Sequence, residues 1–484
     1  MHCAATFSGT KVGLNISHGA PRCGSTKLAA AITRNAPTLV ILAALLLMTA
    51  RSATAQTYTT FDIKAAVNGI GPTGINAAGV ITGSYYDKNE VSHGFVRAAN
   101  GTIKIFNVPG ATDGTQPIGI NDAGAITGYY EDSKFVGHGF VRGASGTITT
   151  FNVPGAGTGE GQGTYAFGIN AAGTISGDYA DAAYNHHAFV RTADGTITAP
   201  IDVEGASNTQ AQFINTTGEI QGRYYVGTSR VGLGFVRAAD GTITTYSIPG
   251  AGGTGQIQGA FPYCINDAGE VSGFYSDDNN VNHAFLYAAD GAITAPIDAP
   301  GAGTAANQGT SGFGINSAGI ISGSYIDANN VSHGFVRTAD GTITTYDDPG
   351  AGTSENQGTY SAPINRLGVI AGSYTDASNV THGFVLSPSN TLKSSPNPST
   401  YGQSVTFTAT VTSIFGPPPD GETVSFMKGK TVLGTGTLSA GTATFTTSKL
   451  KVGTTSVTAV YAGDASYAGS TSNTIEQVVE KVGD

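Results

Sequence analysis

An Ile-Asn pair recurs along this chain at Asn76, Asn121, Asn170, Asn215, Asn266, Asn316 and Asn365, with gaps of 45, 49, 45, 51, 50 and 49 residues. A period near 50 constrains the fold more than composition does. Each repeat must be one supersecondary unit that buries its faces against neighbours. Each unit carries four short segments of β-type composition. The first ends at Gly-Ile-Asn. In the second, such as 80–86, Ile81, Gly83 and Tyr85 share a face by period two; in the third, 93–97, His93, Phe95 and Arg97 do. The fourth resembles 102–108. Asn-x-x-Gly joins segments one and two, and Ala-Asn-Gly or Ala-Asp-Gly joins three and four. Asn opening and Gly closing these stretches is type I turn chemistry. A longer polar loop, such as 87–92, joins two and three. The unit reads as a four-stranded antiparallel meander, and no stretch after the leader shows a helical period.

Four strands per repeat of this length fit propeller blades, with an open solenoid as the rival. The chain ends decide between them. The first three strands occur seven times, and the last copy stops at Val385-Leu386 with no fourth strand after it. A spare fourth strand precedes the first unit, because 58–63 (Tyr-Thr-Thr-Phe-Asp-Ile) matches Ile343-Thr-Thr-Tyr-Asp347. The expectation is an all-β chain: a seven-bladed β-propeller over 56–390, closed by its N-terminal strand so that no end edge stays open. A Ser-, Pro- and Asn-rich linker at 391–400 and a β-sandwich over 401–484 follow, the sandwich read from alternating runs such as 404–411 and 455–461.

Residues 1–55 read as an export signal. Lys27 and Arg34 precede the apolar run 39–48, and Ala53-Thr54-Ala55 offers a cleavage site. The run is too short for a spanning helix. Cleavage removes five basic residues and no acid, taking the formal charge from −10 to −15. So acidic an exported chain excludes nucleic acid as the natural partner. Cys3 and Cys23 leave as well, so Cys264 stays as a single thiol and no internal disulfide forms.

At repeat level the chain resembles the bacterial extracellular repeats named for a His-Ala-Phe signature. The matching motifs are His187-Ala-Phe189 and His283-Ala-Phe285, with His-Gly-Phe beginning at His93, His138, His333 and His382. The fourth copy departs, reading Leu233-Gly-Phe235. That resemblance implies an exported β-repeat protein with no established reaction. The stretches 398–405 and 459–467 resemble a bacterial Ig-like module, which implies a spacer or adhesive unit.

Strand parity puts both tight turns of a unit at one rim. The Asp- and Asn-rich loops and the Gly-rich crossovers 155–165, 250–262, 301–313 and 350–361 lie at the other, where function usually sits. The expected ligand-contacting residues there are Asp87, Glu160, Gln162, Tyr165, Glu355 and Tyr360. The repeated histidines, one per blade, are too dispersed to share an ion and are expected to bond backbone or a loop carboxylate within their own blade. Loops such as Asp327-Ala-Asn-Asn330 resemble half a calcium loop without its closing Glu. Turn formation is the reading, no cofactor or metal is expected, and Ca²⁺ is the weaker alternative. The one-off residues Glu160, Glu204, Arg223, Arg230, His186, Glu355 and Arg366 form no Ser-His-Asp set or paired-carboxylate motif. The expectation is a secreted or surface-located monomer, without a membrane segment after cleavage, that binds a carbohydrate or protein ligand and is not an enzyme. The alternative is a carbohydrate-active lyase or hydrolase with carboxylates at the channel mouth.

Overall fold

The computed structural model describes residues 57–67, 69–229, 231–253 and 258–481. The expected export signal, Arg230 and part of the 250–262 crossover lie outside them. The described residues contain strands, turns and loops and no helix. The sixth unit shows the pattern: Gly309–Ile315, Ile321–Ile326, Ser332–Arg337 and Ile343–Tyr346 follow one another, and each adjacent pair is antiparallel. The turn chemistry acts as expected. Gly319 N donates to Asn316 O at 3.0 Å with Gly319 at φ 71°, a conformation that suits a residue without Cβ.

One feature of the first strand is not visible in the repeat pattern. In every unit it carries a bulge, as between Gly312 and Gly314 opposite Gly323 and Ser322. A bulge leaves one residue outside the ladder and turns its side chain to a new direction. Here the released positions include Thr73, Ile118, Phe167, Gln212, Tyr263 and Phe313.

The first strand of each unit contacts that of the next, and the first strand of the seventh unit contacts that of the first. The asparagines run the same circuit. Asn76 Nδ2 donates to Asn121 O, Asn121 to Asn170, Asn170 to Asn215, Asn215 to Asn266, Asn266 to Asn316, Asn316 to Asn365, and Asn365 back to Asn76, at 2.9–3.4 Å. Each Oδ1 meanwhile accepts from the amide four residues on, as from Ile320 at 3.0 Å. The asparagine carboxamide supplies a donor nitrogen and a separate acceptor oxygen for this double task, which an aspartate carboxylate cannot. Thr57–Phe61 pairs antiparallel with Thr381–Ser387, from Thr57 against Ser387 to Phe61 against Gly383, the place that the repeat bookkeeping assigned to it.

Burial follows the unit boundaries. Phe95, Phe140, Phe189, Phe235, Phe285, Phe335 and Phe384, one per unit, are each 0% exposed. The clusters span neighbours: Cys264, Ala284 and Ile297 of the fifth unit pack with Ile315, Ile321 and Phe335 of the sixth. No unit buries its faces alone, which is what repeat architectures require. Cys264 itself is 0% exposed, its Sγ 3.7 Å from Ile315 O.

The C-terminal module has two sheets around one core. Ser389–Ser395, Val405–Thr412 and Thr442–Thr447 form one; Ser399–Thr400, Ile475–Glu480, Gly453–Gly463, Thr423–Lys428 and Thr431–Thr437 form the other, with Ala468–Thr471 paired to Gly453–Gly463. Leu392, Val405, Phe407, Val424, Phe426 and Tyr461 fill the space between. The stretch 391–400 is therefore not a linker. Its turn-forming composition hides a strand whose Leu392 is a core residue. The module contacts the first turn of the seventh unit, where Ala468 N donates to Leu367 O at 3.1 Å and Phe415 packs over Gly368.

Candidate functional site

The repeated histidines are structural clasps. Six stack on the tyrosine of their own second strand, Tyr85–His93 through Tyr374–His382, at centroid distances of 4.8–5.2 Å. Nδ1 meets the residue after the fourth strand (Asn107, Asn152, Asp202, Asp298, Asp347 or Asp62) at 2.7–3.0 Å. Nε2 faces the loop acid (Asp87, Asp132, Asp181, Asp277, Asp327 or Asp376) at 3.3–3.9 Å. The fourth unit lacks the whole set: Val226, Leu233 and Ser247 stand in the three places. The Asp62 clasp on His382 joins the N-terminal segment to the last unit.

The loop acids sit below the ordinary carboxyl range. At Asp327 burial opposes the charge, but the Val331 and Asn329 amides, the Asn329 side chain and His333 outweigh it. A carboxyl depressed in the folded state contributes stability that is present above its unfolded value, near 4, and is lost as pH falls through the folded value. Thermal melts should therefore be insensitive to these groups above about pH 5 and fall steeply below about 4, with a shallower acid limb in Asp327→Asn. An unchanged acid limb in that variant would show that the loop acid is not linked to folding.

The residues expected to contact ligand divide between two places. Asp87 caps its loop, accepting from Asn89 N at 2.8 Å and Val91 N at 3.1 Å. Gln162 is buried and props its crossover, accepting from Gly159 N at 2.8 Å and donating to Ala182 O at 3.1 Å; Gln308 and Gln357 do the same work. Glu160 is exposed on the same crossover, and Glu355 accepts from Asn330 Nδ2 at 3.3 Å. Tyr165 and Tyr360 lie elsewhere, half-buried on first strands.

That second place is where the units differ. Directly opposed on the first and second strands are Gly71 and Ser84, Gln116 and Tyr129, Tyr165 and Asp178, Gln210 and Arg223, Phe261 and Phe274, Ser311 and Ser324, Tyr360 and Ser373. The opposite face of the same strands repeats Thr and Tyr with little change. The bulge residues extend the variable band toward the asparagine circuit. Aromatic contacts cross unit boundaries: Tyr129 meets Tyr165 at 5.1 Å and Tyr263 meets Phe313 at 5.0 Å, both edge-on. Tyr165, Phe167, Gln210, Gln212, Tyr263 and Phe313 all remain part-exposed. Burial, with Glu131 and Asp178 adding, pushes the Tyr165 phenol well up, so it stays neutral and donates to Gln162 O at 3.2 Å.

Two charged groups stand in this band. Asp178, 3% exposed in its side chain, meets His186 Nδ1 at 2.5 Å. Burial works against the His186 cation, but Asp178 outweighs it and raises the imidazole. The other is Arg223. Among the described residues no three His, Cys, Asp or Glu side chains converge to hold a metal ion, and no helix is long and apolar enough to cross a membrane.

No curated protein sequence matches the chain. Among solved structures it is similar to a prolyl endopeptidase (TM-score 0.39, 11% identity, 76% of this chain and 56% of that one). It is also similar to TolB from Acinetobacter baumannii (0.34, 10%, 69% and 80%) and to the BP39L lectin from Burkholderia pseudomallei (0.37, 9%, 68% and 98%). The chain thus spans just over half the length of the endopeptidase. Residues 392–480 match the family model of the bacterial Ig-like domain, group 3, and the C-terminal module is a bacterial Ig-like domain.

Proposed function

We propose that this is an exported binding protein: a closed seven-bladed propeller that seats a carbohydrate at its axis and carries an Ig-like module as spacer or anchor. The circuit of asparagines and the pairing of 57–61 with the last unit support closure. The binding reading is carried by the contrast between the two faces of each unit. One face repeats, as packing demands. The other diverges into part-exposed aromatic, glutamine and serine side chains around one axis. Flat rings beside amide and hydroxyl partners suit the apolar face and the hydroxyl edge of a sugar. The Ig-like module contacts the tight-turn rim, leaving the crossover rim as the approach.

A glycan array with the intact chain tests the reading, followed by titration of the best hit against Phe167→Ala and Tyr263→Ala. Truncating a central aromatic contact should weaken binding about tenfold or more. Unchanged affinity in both variants would remove the axial band as the seat. A lyase or hydrolase has one observation in its favour, the buried Asp178 orienting His186. Release of shortened products from a bound glycan would establish it over binding alone.

A further inference from the structure

Five arginines of this chain follow a repeat rule, and Arg223 departs from it. Arg97, Arg142, Arg191, Arg237 and Arg337 end their third strands, and each Nη1 donates to the next residue's carbonyl at 3.3–3.5 Å. The first three also lie over Phe61, Phe106 and Phe151. These are packing residues. Arg223 is instead on the second strand of the fourth unit, at the variable position that is Ser84, Tyr129, Asp178, Phe274, Ser324 or Ser373 elsewhere.

Arg223 is held in place. Its guanidinium carbon lies 5.3 Å from the Phe261 centroid and 5.8 Å from that of Tyr225. Nε donates to Gln210 Oε1 at 2.8 Å. Two rings and one hydrogen bond fix the plane of the group, and among the described residues its Nη edge has no protein acceptor. The carboxylate of the band, Asp178, is engaged by His186. A planar, pre-oriented fork of two N–H donors is the geometry that holds a carboxylate bidentately, which a lysine cannot reproduce. The chain as a whole is acidic, at −10. Its general field therefore repels anions, and attraction must come from this local group.

We infer that the axial seat takes an acidic sugar, its uronate carboxylate on the Nη edge of Arg223 and its ring against the neighbouring aromatic band. The inference rests on the binding reading and adds the ligand class to it. A peptide carboxylate would use the same fork, but the glutamines and the part-exposed rings beside it favour a polyhydroxylated ligand.

The probes are an oligogalacturonide and its fully methyl-esterified form, which has the same rings and no charge. Calorimetric titration should show the free acid binding at least about tenfold tighter than the ester, the size of one charge-assisted bidentate contact. Added salt should weaken only the acid. Arg223→Gln should remove the preference for the acid over the ester, while Arg223→Lys keeps only part of it. A melting curve coincident with the parent's checks that the variants fold. Equal affinity for acid and ester, or a preference that survives Arg223→Gln, overturns the inference. Neutral glycans binding at the band while uronides do not would sink it alone. A blank array would take the binding reading down with it.

Discussion

A chain lacking residues 57–63 melts far below the intact protein and self-associates. This is the largest effect expected from any short deletion. The segment contributes the fourth strand of the seventh unit, in register from Thr57–Ser387 to Phe61–Gly383. Phe61 is buried; its ring lies over Gly383 and meets Phe95 of the first unit edge-on at 6.0 Å. Ile63 is buried too, and Asp62 clasps His382 at 2.7 Å. Truncating one buried phenylalanine costs about 3–5 kcal/mol, and the deletion also removes an isoleucine, a clasp and a strand ladder. What remains is an unpaired edge at 381–387, a template for pairing with another copy. Thermal melts and size-exclusion chromatography measure both effects. A synthetic peptide of residues 57–63, added in trans, should restore much of the melting temperature by strand addition. A truncated chain that melts like the intact one and stays monodisperse would refute ring closure by this strand.

That strand was legible because it belongs to a counted pattern: seven triplets and a misplaced fourth strand leave one arrangement. The histidines were legible for the same reason, although only the coordinates show a side-chain acceptor on each ring nitrogen. The variable band was not legible, because a search for repeats rewards what stays constant. Its members become a set only when cross-strand register is known, and the first-strand bulge shifts that register by one residue. A signal was available. The residue between Gly and Tyr in the second strand is Ser84, Tyr129, Asp178, Arg223, Phe274, Ser324 or Ser373, while both flanking positions hold constant in all seven units. Arg223 and His186 stood out as unrepeated residues with no role attached, since nothing in their spacing places them on one face with Tyr165. Tyr165 and Tyr360 read from the sequence as crossover residues, whereas they sit on first strands just past the crossovers.

A second correlation also needed coordinates. Where the fourth strand brings Phe106, Phe151, Tyr246, Tyr346 or Phe61, its ring lies over the third-strand glycine, and a Cβ on Gly139 would meet Phe151 at 2.5 Å. Where the fourth strand reads Ala-Pro-Ile, at Pro200 and Pro296, alanine fits as Ala188 and Ala284. His-Ala-Phe and His-Gly-Phe are therefore two packing solutions, each tied to its own fourth strand. The 391–400 stretch failed for the opposite reason. Its Ser, Pro and Asn content outweighed the single alternating apolar residue, Leu392, that a strand there needs.

Gly323→Ala should cost about 3 kcal/mol or more, near the upper end for overpacking, although it adds one methyl. Gly323 has an ordinary φ, so the constraint is space rather than backbone conformation. A Cβ there would collide with Ser311 O and meet Phe335 Cε1 at 2.7 Å. Phe335 is 0% exposed and closely packed, and the carbonyl belongs to the first strand just before its bulge. Neither can withdraw without moving the other. The same carbonyl contact recurs at Gly83, Gly128, Gly177, Gly222, Gly273 and Gly372, against Gly71, Gln116, Tyr165, Gln210, Phe261 and Tyr360. These carbonyls belong to the residues of the opposed variable pairs, so the glycine that lets the sheets pack also fixes the depth of the variable band. Gly253→Ala is the control, since no described residue lies within 4 Å of its added Cβ. Chemical denaturation of the two variants decides the point. A Gly323→Ala chain as stable as Gly253→Ala would mean that the first strand can retreat, and that the band is not rigidly set by the sheet behind it.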